Sequence, residues 1–288
     1  MSQIELKVSL SYEGLDADNH QLEAHSAALS LEGMAWAMQV ATYSLANGKI
    51  KERGDLSDTV KIFITSSKKG SFVTTLLILV VVPAIVGYTV NLTTPDAKRL
   101  LAYIFNKALG NKNPKSNRTE ILLKKIEKYD KNLVEELVHQ IEPALERAHN
   151  FVGKTATRLE VKLSSNDNFC LDKTTKEYVE AKPTGKYDTI DTNITAYNVN
   201  SHNGRLYHPV DEETISMTVI KNTKANTKNK ITESLNAYQE GKEGKIRITA
   251  EKVSTKSGRL KKYLISDADY IPQSDWVNGI DPLHAKRI

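Results

Sequence analysis

The sequence predicts an α+β protein, and three observations predict it. Ile4, Leu6, Val8 and Leu10 alternate with polar residues, the period of a half-buried strand. Apolar residues between His20 and Ala46 fall instead at helical spacing. Beyond Pro183, short alternating segments separated by turn residues dominate. The expected organisation is an N-terminal strand-helix-hairpin module with an apolar segment over 1–110, a helical connector with short strands over 111–182, and a C-terminal small β-barrel, OB-like or SH3-like, over 183–288.

Element by element, Ile4 to Leu10 is the opening strand, ended by Gly14 and a polar run. The helix that follows stops at Asn47-Gly48 and contains Gly33, which costs about 1 kcal/mol relative to Ala and implies close packing against a neighbour. Val60, Ile62 and Ile64, the turn Lys68-Lys69-Gly70-Ser71 and Phe72 to Leu76 read as a hairpin. Between Ser71 and Pro95 no residue is charged, a run long enough for a membrane-spanning helix. Its β-branched content and Pro83 favour a buried strand followed by a buried helix from Ala84, and on that reading Val81→Asp places a charge in the core. A helix is expected over Pro95–Leu109. Asn117 with Glu120 reads as a capping box for a long helix that Pro143 kinks or restarts. Leu159, Val161 and Leu163 alternate as a strand, and Asp172 or Thr174 caps a short helix. Strands over 189–199, 205–208 and 214–220, a helix over 231–238 and strands over 245–253 and 260–265 then give the element order of an OB-type barrel.

Composition narrows the function classes. A hydrophobic fraction of 40%, counted without 14 glycines, belongs to a folded globular chain. The one cysteine, Cys170, excludes an intramolecular disulfide and any multi-cysteine metal site, and its neighbours suggest a buried structural thiol. An N-terminus without a basic run and apolar stretch predicts cytoplasmic synthesis.

Few motifs carry chemistry. Gly153-Lys154-Thr155 ends like a phosphate loop, but Ala148 stands where the first glycine belongs. Glu180-Ala181-Lys182, with Asp172, has the spacing of a metal-dependent nuclease, although capping at Asp172 argues for helix there. The seven histidines show no ligand spacing; His202 and His208 flank an expected Asn203-Gly204 turn. No cofactor or metal site is expected.

The net charge of +5 is unevenly placed: residues 1–110 are balanced, whereas 183–288 hold 16 basic against 13 acidic residues. Lys224 and Lys228 belong to one cluster; Arg259, Lys261 and Lys262 belong to a second; Tyr197, Arg205, Tyr207 and His208 lie on the strands where such a barrel presents its binding face. Cations for phosphate and aromatics for stacking suit single-stranded nucleic acid or a nucleotide.

The opening strand, the segment DADNHQLEAHSAALSLEGMAWAMQVATYSLANG and then VKIFITSSKKGSFVTTLLILVVV resemble a recurrent arrangement in uncharacterised bacterial proteins associated with prophages and antiviral defence islands. The shared motif is a Lys/Arg-x-Gly-Ser-Phe turn, here Lys68 to Phe72, and the resemblance covers about the first hundred residues. It implies a setting of mobile elements or phage conflict and no catalytic residues. The expected function is a non-catalytic binding or regulatory protein that forms a homo-oligomer and whose barrel binds nucleic acid, nucleotide or a partner protein. The alternatives are a membrane-associated effector at the inner membrane, using Leu76 to Leu92, and, more weakly, a metal-dependent nuclease.

Overall fold

The computed structural model describes residues 2–50, 56, 58–68, 72–82, 92–111, 116–210, 212–221 and 223–287. The chain forms two compact units, Met1–Glu180 and Ala181–Ile288.

In the first unit five strands, β1 (Ser2–Glu13), β2 (Val60–Lys68), β3 (Val73–Val82), β4 (Arg158–Lys162) and β5 (Asn168–Leu171), form a sheet in the order β2-β3-β1-β4-β5. Every neighbouring pair is antiparallel. Alternation fixes the core face: Leu6, Val8 and Leu10 of β1, Leu76 and Ile78 of β3, and Leu159 and Val161 of β4 are fully buried. Helices α1 (Ala24–Asn47), α2 (Thr94–Ala108), α3 (Asn117–Tyr129) and α4 (Leu133–Ala148) complete that core with Met34, Met38, Leu100, Phe105, Leu122 and Ile141. A short helix, α5 (Lys173–Val179), follows β5, with Asp172 and Thr175 forming its capping box.

Residues 111–182 are therefore no separate connector. They supply α3, α4 and two strands of the same sheet, because β4 pairs with β1 from Ser9↔Lys162 to Glu13↔Arg158. Gly33 of α1 lies against the backbone of α4, so the close packing implied by its position in a helix is found.

Two local expectations change. The cap of α3 is Ser116, whose side chain accepts from the Thr119 amide, one residue before Asn117. The long helix breaks at Asp130–Asn132, where the Asp130 carboxylate accepts from the Asn132 amide, while Pro143 stays inside α4. An Asx-type turn offers the backbone a local partner that competes with the helix. The strand expected at the start of the apolar run is found: residues 76–82 belong to β3, paired on both sides by β1 and β2, so no continuous helix covers Leu76–Leu92. Residues 83–91, including the helix expected from Ala84, and the turn residues Lys69 to Ser71 lie outside the described residues. No helix among the described residues is long and apolar enough to cross a membrane. Val81 is 37% exposed, on the sheet face away from the helices, so the destabilisation expected of Val81→Asp does not follow.

The second unit is a closed five-stranded barrel of β6 (Lys182–Tyr197), β7 (Asn203–His208), β8 (Glu213–Val219), β9 (Lys245–Ser254) and β10 (Leu260–Asp269). The first strand pairs with the second and the fourth, the third runs parallel to the fifth, and helix α6 (Ala225–Gln239) lies between the third and fourth. Of the two barrels expected, this connectivity is the OB-type Greek key. Ser234 fastens the helix to the strands, since its hydroxyl accepts from the Ile194 amide at 3.0 Å and donates to the Gly244 carbonyl at 2.5 Å. Asn203-Gly204 is not the hairpin turn. The turn is made at 199–201 with His202 at φ 61°, and Asn203 and Gly204 open β7, where a Cβ on Gly204 would meet the Ala196 carbonyl at 2.3 Å.

Candidate nucleic-acid interface

The alternation of β7 buries Gly204 and Leu206 and turns Arg205 and Tyr207 outward, both half-buried. β8 alternates likewise, with Ile215, Met217 and Val219 inside and Thr214, Ser216 and Thr218 outside. In register, Arg205 sits opposite Ser216, Ser216 opposite Lys262 of β10, and Tyr207 opposite Thr214. The result is an outward surface over three strands with a guanidinium, an ammonium, a phenol and several hydroxyls. Arg205 is steadied by a bond from Nη2 to the Thr214 carbonyl at 3.1 Å. The Tyr207 carbonyl accepts from the Thr192 hydroxyl at 2.5 Å, fixing the backbone beneath its ring.

The other expected site residues are elsewhere. Tyr197 is only 7% exposed and belongs to the barrel core, where burial raises its hydroxyl above the usual tyrosine range. Its parity is reversed by the bulge between Ile194 and Ala196. Lys261 is buried, on the parity of Tyr263 and Ile265. His208 faces inward enough to stack on Tyr263, its Nε2 lying 3.1 Å from the phenol oxygen. Lys224, just before α6, is paired with Asp267 at 2.6 Å, and this carboxylate holds the ammonium above its ordinary value. Lys228 approaches Nε2 of His202 at 3.4 Å. Arg259 is exposed in the turn before β10, its amide donating to the Thr255 hydroxyl at 3.0 Å. The structure thus brings together Arg205, Tyr207 and Lys262, and separates them from the remaining six.

Much of the barrel's positive charge is internally neutralised. Lys230 pairs with Asp269 at 2.5 Å and Lys252 with Asp188 at 2.7 Å. Arg247 bonds Asp191 twice, at 2.7 and 2.8 Å, and Asp275 at 2.7 Å, which together push its guanidinium above the usual arginine range. Sequence reasoning missed one polar string inside the barrel: Lys252, Asp188, the Tyr263 hydroxyl at 3.4 Å from Asp188, and His208. These four come from four strands, and no spacing along the chain announces them.

The remaining motifs are structural. Thr155 is buried, accepting from the Glu23 amide at 2.8 Å and donating to Asp16 at 3.0 Å. Asp172 caps α5, and Glu180 ends that helix. Among the described residues no three His, Cys, Asp or Glu side chains converge to hold a metal ion. Cys170 is half-buried, and burial with Asp172 and Glu160 nearby pushes its thiol up, away from nucleophilic character.

Residues 8–180 match the family model described as a domain of unknown function, DUF7946, over more than half of the chain. The chain belongs to the DUF7946 family. Residues 187–269, which span most of the barrel, match a second model, the family of unknown function DUF7947. The DUF7946 match ends at Glu180, the last residue of the first compact unit. No curated protein and no solved structure matches the chain.

Proposed function

We propose that this DUF7946 protein is a non-catalytic, cytoplasmic binding protein of bacterial antiviral defence whose C-terminal barrel takes single-stranded nucleic acid on the outer face of β7, β8 and β10. One observation carries the reading: Arg205 and Tyr207 project from the same side of the second barrel strand, with Lys262 in register across Ser216. Such a barrel uses this face for oligonucleotides, and the combination of cation and aromatic ring serves phosphate and base together. The defence setting is supported by the resemblance of the first hundred residues alone. The membrane-effector alternative keeps no spanning helix among the described residues.

Fluorescence anisotropy of a labelled single-stranded oligonucleotide tests the barrel. Tyr207→Ala should weaken binding by about 1–3 kcal/mol with an unchanged salt slope, since stacking releases no counterions. Lys262→Ala should reduce that slope by about 1 or less. Lys261→Ala should leave the slope unchanged, because the side chain is buried. Absence of binding by the full chain at low salt defeats the reading, and the barrel is then a protein-interaction module.

Self-association is part of the same proposal. Phe63 and Ile64 of β2 are 47% and 66% exposed on a strand that, among the described residues, has a neighbour on one side only, and Trp36 of α1 lies beside it in a shared groove. Exposed apolar residues on an edge strand are what pairing with a second copy covers. Light scattering should give a multiple of 32.1 kDa, and Phe63→Glu with Ile64→Glu should reduce it to the monomer. A wild-type monomer at micromolar concentration removes this part.

A further inference from the structure

A cleft of about 560 Å³ opens in the first unit where α2, the start of α3, β4 and β5 meet. Its volume falls within the range of small-molecule sites, roughly 300–1,000 Å³. The groups around it are arranged unequally by sign. Of its two lining acids, Glu160 is engaged by Lys162 at 2.8 Å and Asp167 by the Ser164 hydroxyl at 2.6 Å. Its two lining arginines are not matched in this way. Among the described residues Arg99 reaches only Asp96, at 3.9 Å, and that carboxylate is already held by two bonds from Arg118, at 2.9 and 2.6 Å. The Arg158 side chain has no hydrogen bond or ion pair among the described residues.

The polar wall between them is pre-set. Asn106 is held on both sides: its amide donates to the carbonyls of Ala102 at 3.0 Å and Asn168 at 2.8 Å, and its oxygen accepts from Asn111 at 3.0 Å. Asn111 is thereby oriented with its own oxygen and second N–H unspent on the described residues. Ser116, the cap of the 13-residue α3, and Thr119 lie at the same cleft, so the positive end of that helix adds to the two guanidiniums.

We propose that this cleft binds a small organic phosphate, with Arg99 and Arg158 on the phosphoryl oxygens and Asn111 on a polar group of the organic part. Guanidinium groups suit phosphate because they offer paired donors that stay charged. A cleft of this size leaves room beyond the phosphate for the rest of the molecule. Every residue that lines the cleft belongs to the first unit.

Cys170 lines the cleft and is the chain's one cysteine, which makes it a site-specific reporter. The experiment follows the rate of maleimide labelling of the full-length protein at pH 8 with adenosine monophosphate, glucose 6-phosphate or glycerol 3-phosphate at millimolar concentration. Adenosine, glucose, glycerol, citrate and inorganic phosphate are the comparison set. At least one organic phosphate should slow labelling five-fold or more, its dephosphorylated counterpart should not, and Arg158→Gln should raise the half-protecting concentration at least ten-fold. The Arg158 side chain is exposed and has no hydrogen bond or ion pair among the described residues, so that variant keeps its fold, which an unchanged melting temperature verifies. No protection by any of the three phosphates overturns the proposal, as does protection that survives Arg158→Gln. Equal protection by inorganic phosphate or by citrate overturns the assignment to an organic phosphate.

Discussion

Replacing Gly33 by alanine is expected to destabilise the N-terminal unit by about 3 kcal/mol, although alanine is the better helix former by about 1 kcal/mol. Helix propensity and packing make opposite predictions here, so the sign decides between them. A Cβ at position 33 would lie 2.4 Å from the Ala144 carbonyl oxygen and 2.5 Å from the Ala148 nitrogen. Both are backbone atoms of α4 and cannot rotate away, so α1 and α4 must part. Parting them breaks the 2.8 Å bond from the Ser30 hydroxyl to the Ala148 carbonyl and disturbs the Tyr12 hydroxyl, 2.9 Å from Ser30. Tyr12 is fully buried, and removal of its partner leaves a phenol unsatisfied in the core. It also loosens the Glu32–Arg147 pair across the same helices, a small loss at that exposure. Urea denaturation should show a lower midpoint at unchanged slope. A midpoint equal to or above wild type would mean that the helices tolerate the methyl group.

The second large effect is a loss of stability on mild acidification through His149. This side chain is fully buried where α4 ends, with Nδ1 2.7 Å from the Leu145 carbonyl and Nε2 3.0 Å from the Thr175 hydroxyl. The nitrogen facing a carbonyl carries the proton, so the neutral ring satisfies both contacts. Burial, the largest cause, pulls its pKa down from 6.5 to about 4. Between those values the unfolded chain binds a proton that the native site refuses, so stability falls as pH drops from 6.5 toward 4. A fall from 6.5 to about 4 corresponds to about 3 kcal/mol, of which about 2 kcal/mol should be lost between pH 7 and pH 5. His149→Gln should be less stable at neutral pH and should lack this part of the pH dependence. Parallel stability profiles of the two proteins from pH 7 to 5 would show that His149 is not its source.

How far the fold was legible follows from parity. Where apolar and polar residues alternate, as in β1 and in β7 to β10, the strands and their core faces could be read directly. In Leu76 to Val82 every residue is apolar, so nothing told Val80, which is buried, from Val81, which is not. Tyr197 was misplaced because a bulge in β6 shifts the side-chain count by one, and bulges leave little trace in composition. Lys261 was readable, since it shares the parity of Tyr263 and Ile265, but a lysine is ordinarily assigned to the surface. His149 continues the Ile141, Leu145 stripe by one more step of four, a signal that its polar type outweighed. The cleft at Arg99 and Arg158 was hidden altogether: its residues are drawn from segments some 60 positions apart, joined only when the sheet forms.

The strand order of the first unit has a consequence for synthesis. β1 is made before its partner strands and acquires β3 early, but its other partner, β4, arrives only after residue 158 has been made. Until then Ser9 to Glu13 keep one row of amides and carbonyls unpaired beside a half-built apolar layer, a template for other nascent chains. Fragments that stop between α2 and β4 should therefore be poorly soluble and dependent on chaperones, and the rate of folding of the unit should be set by this closure across about 150 residues.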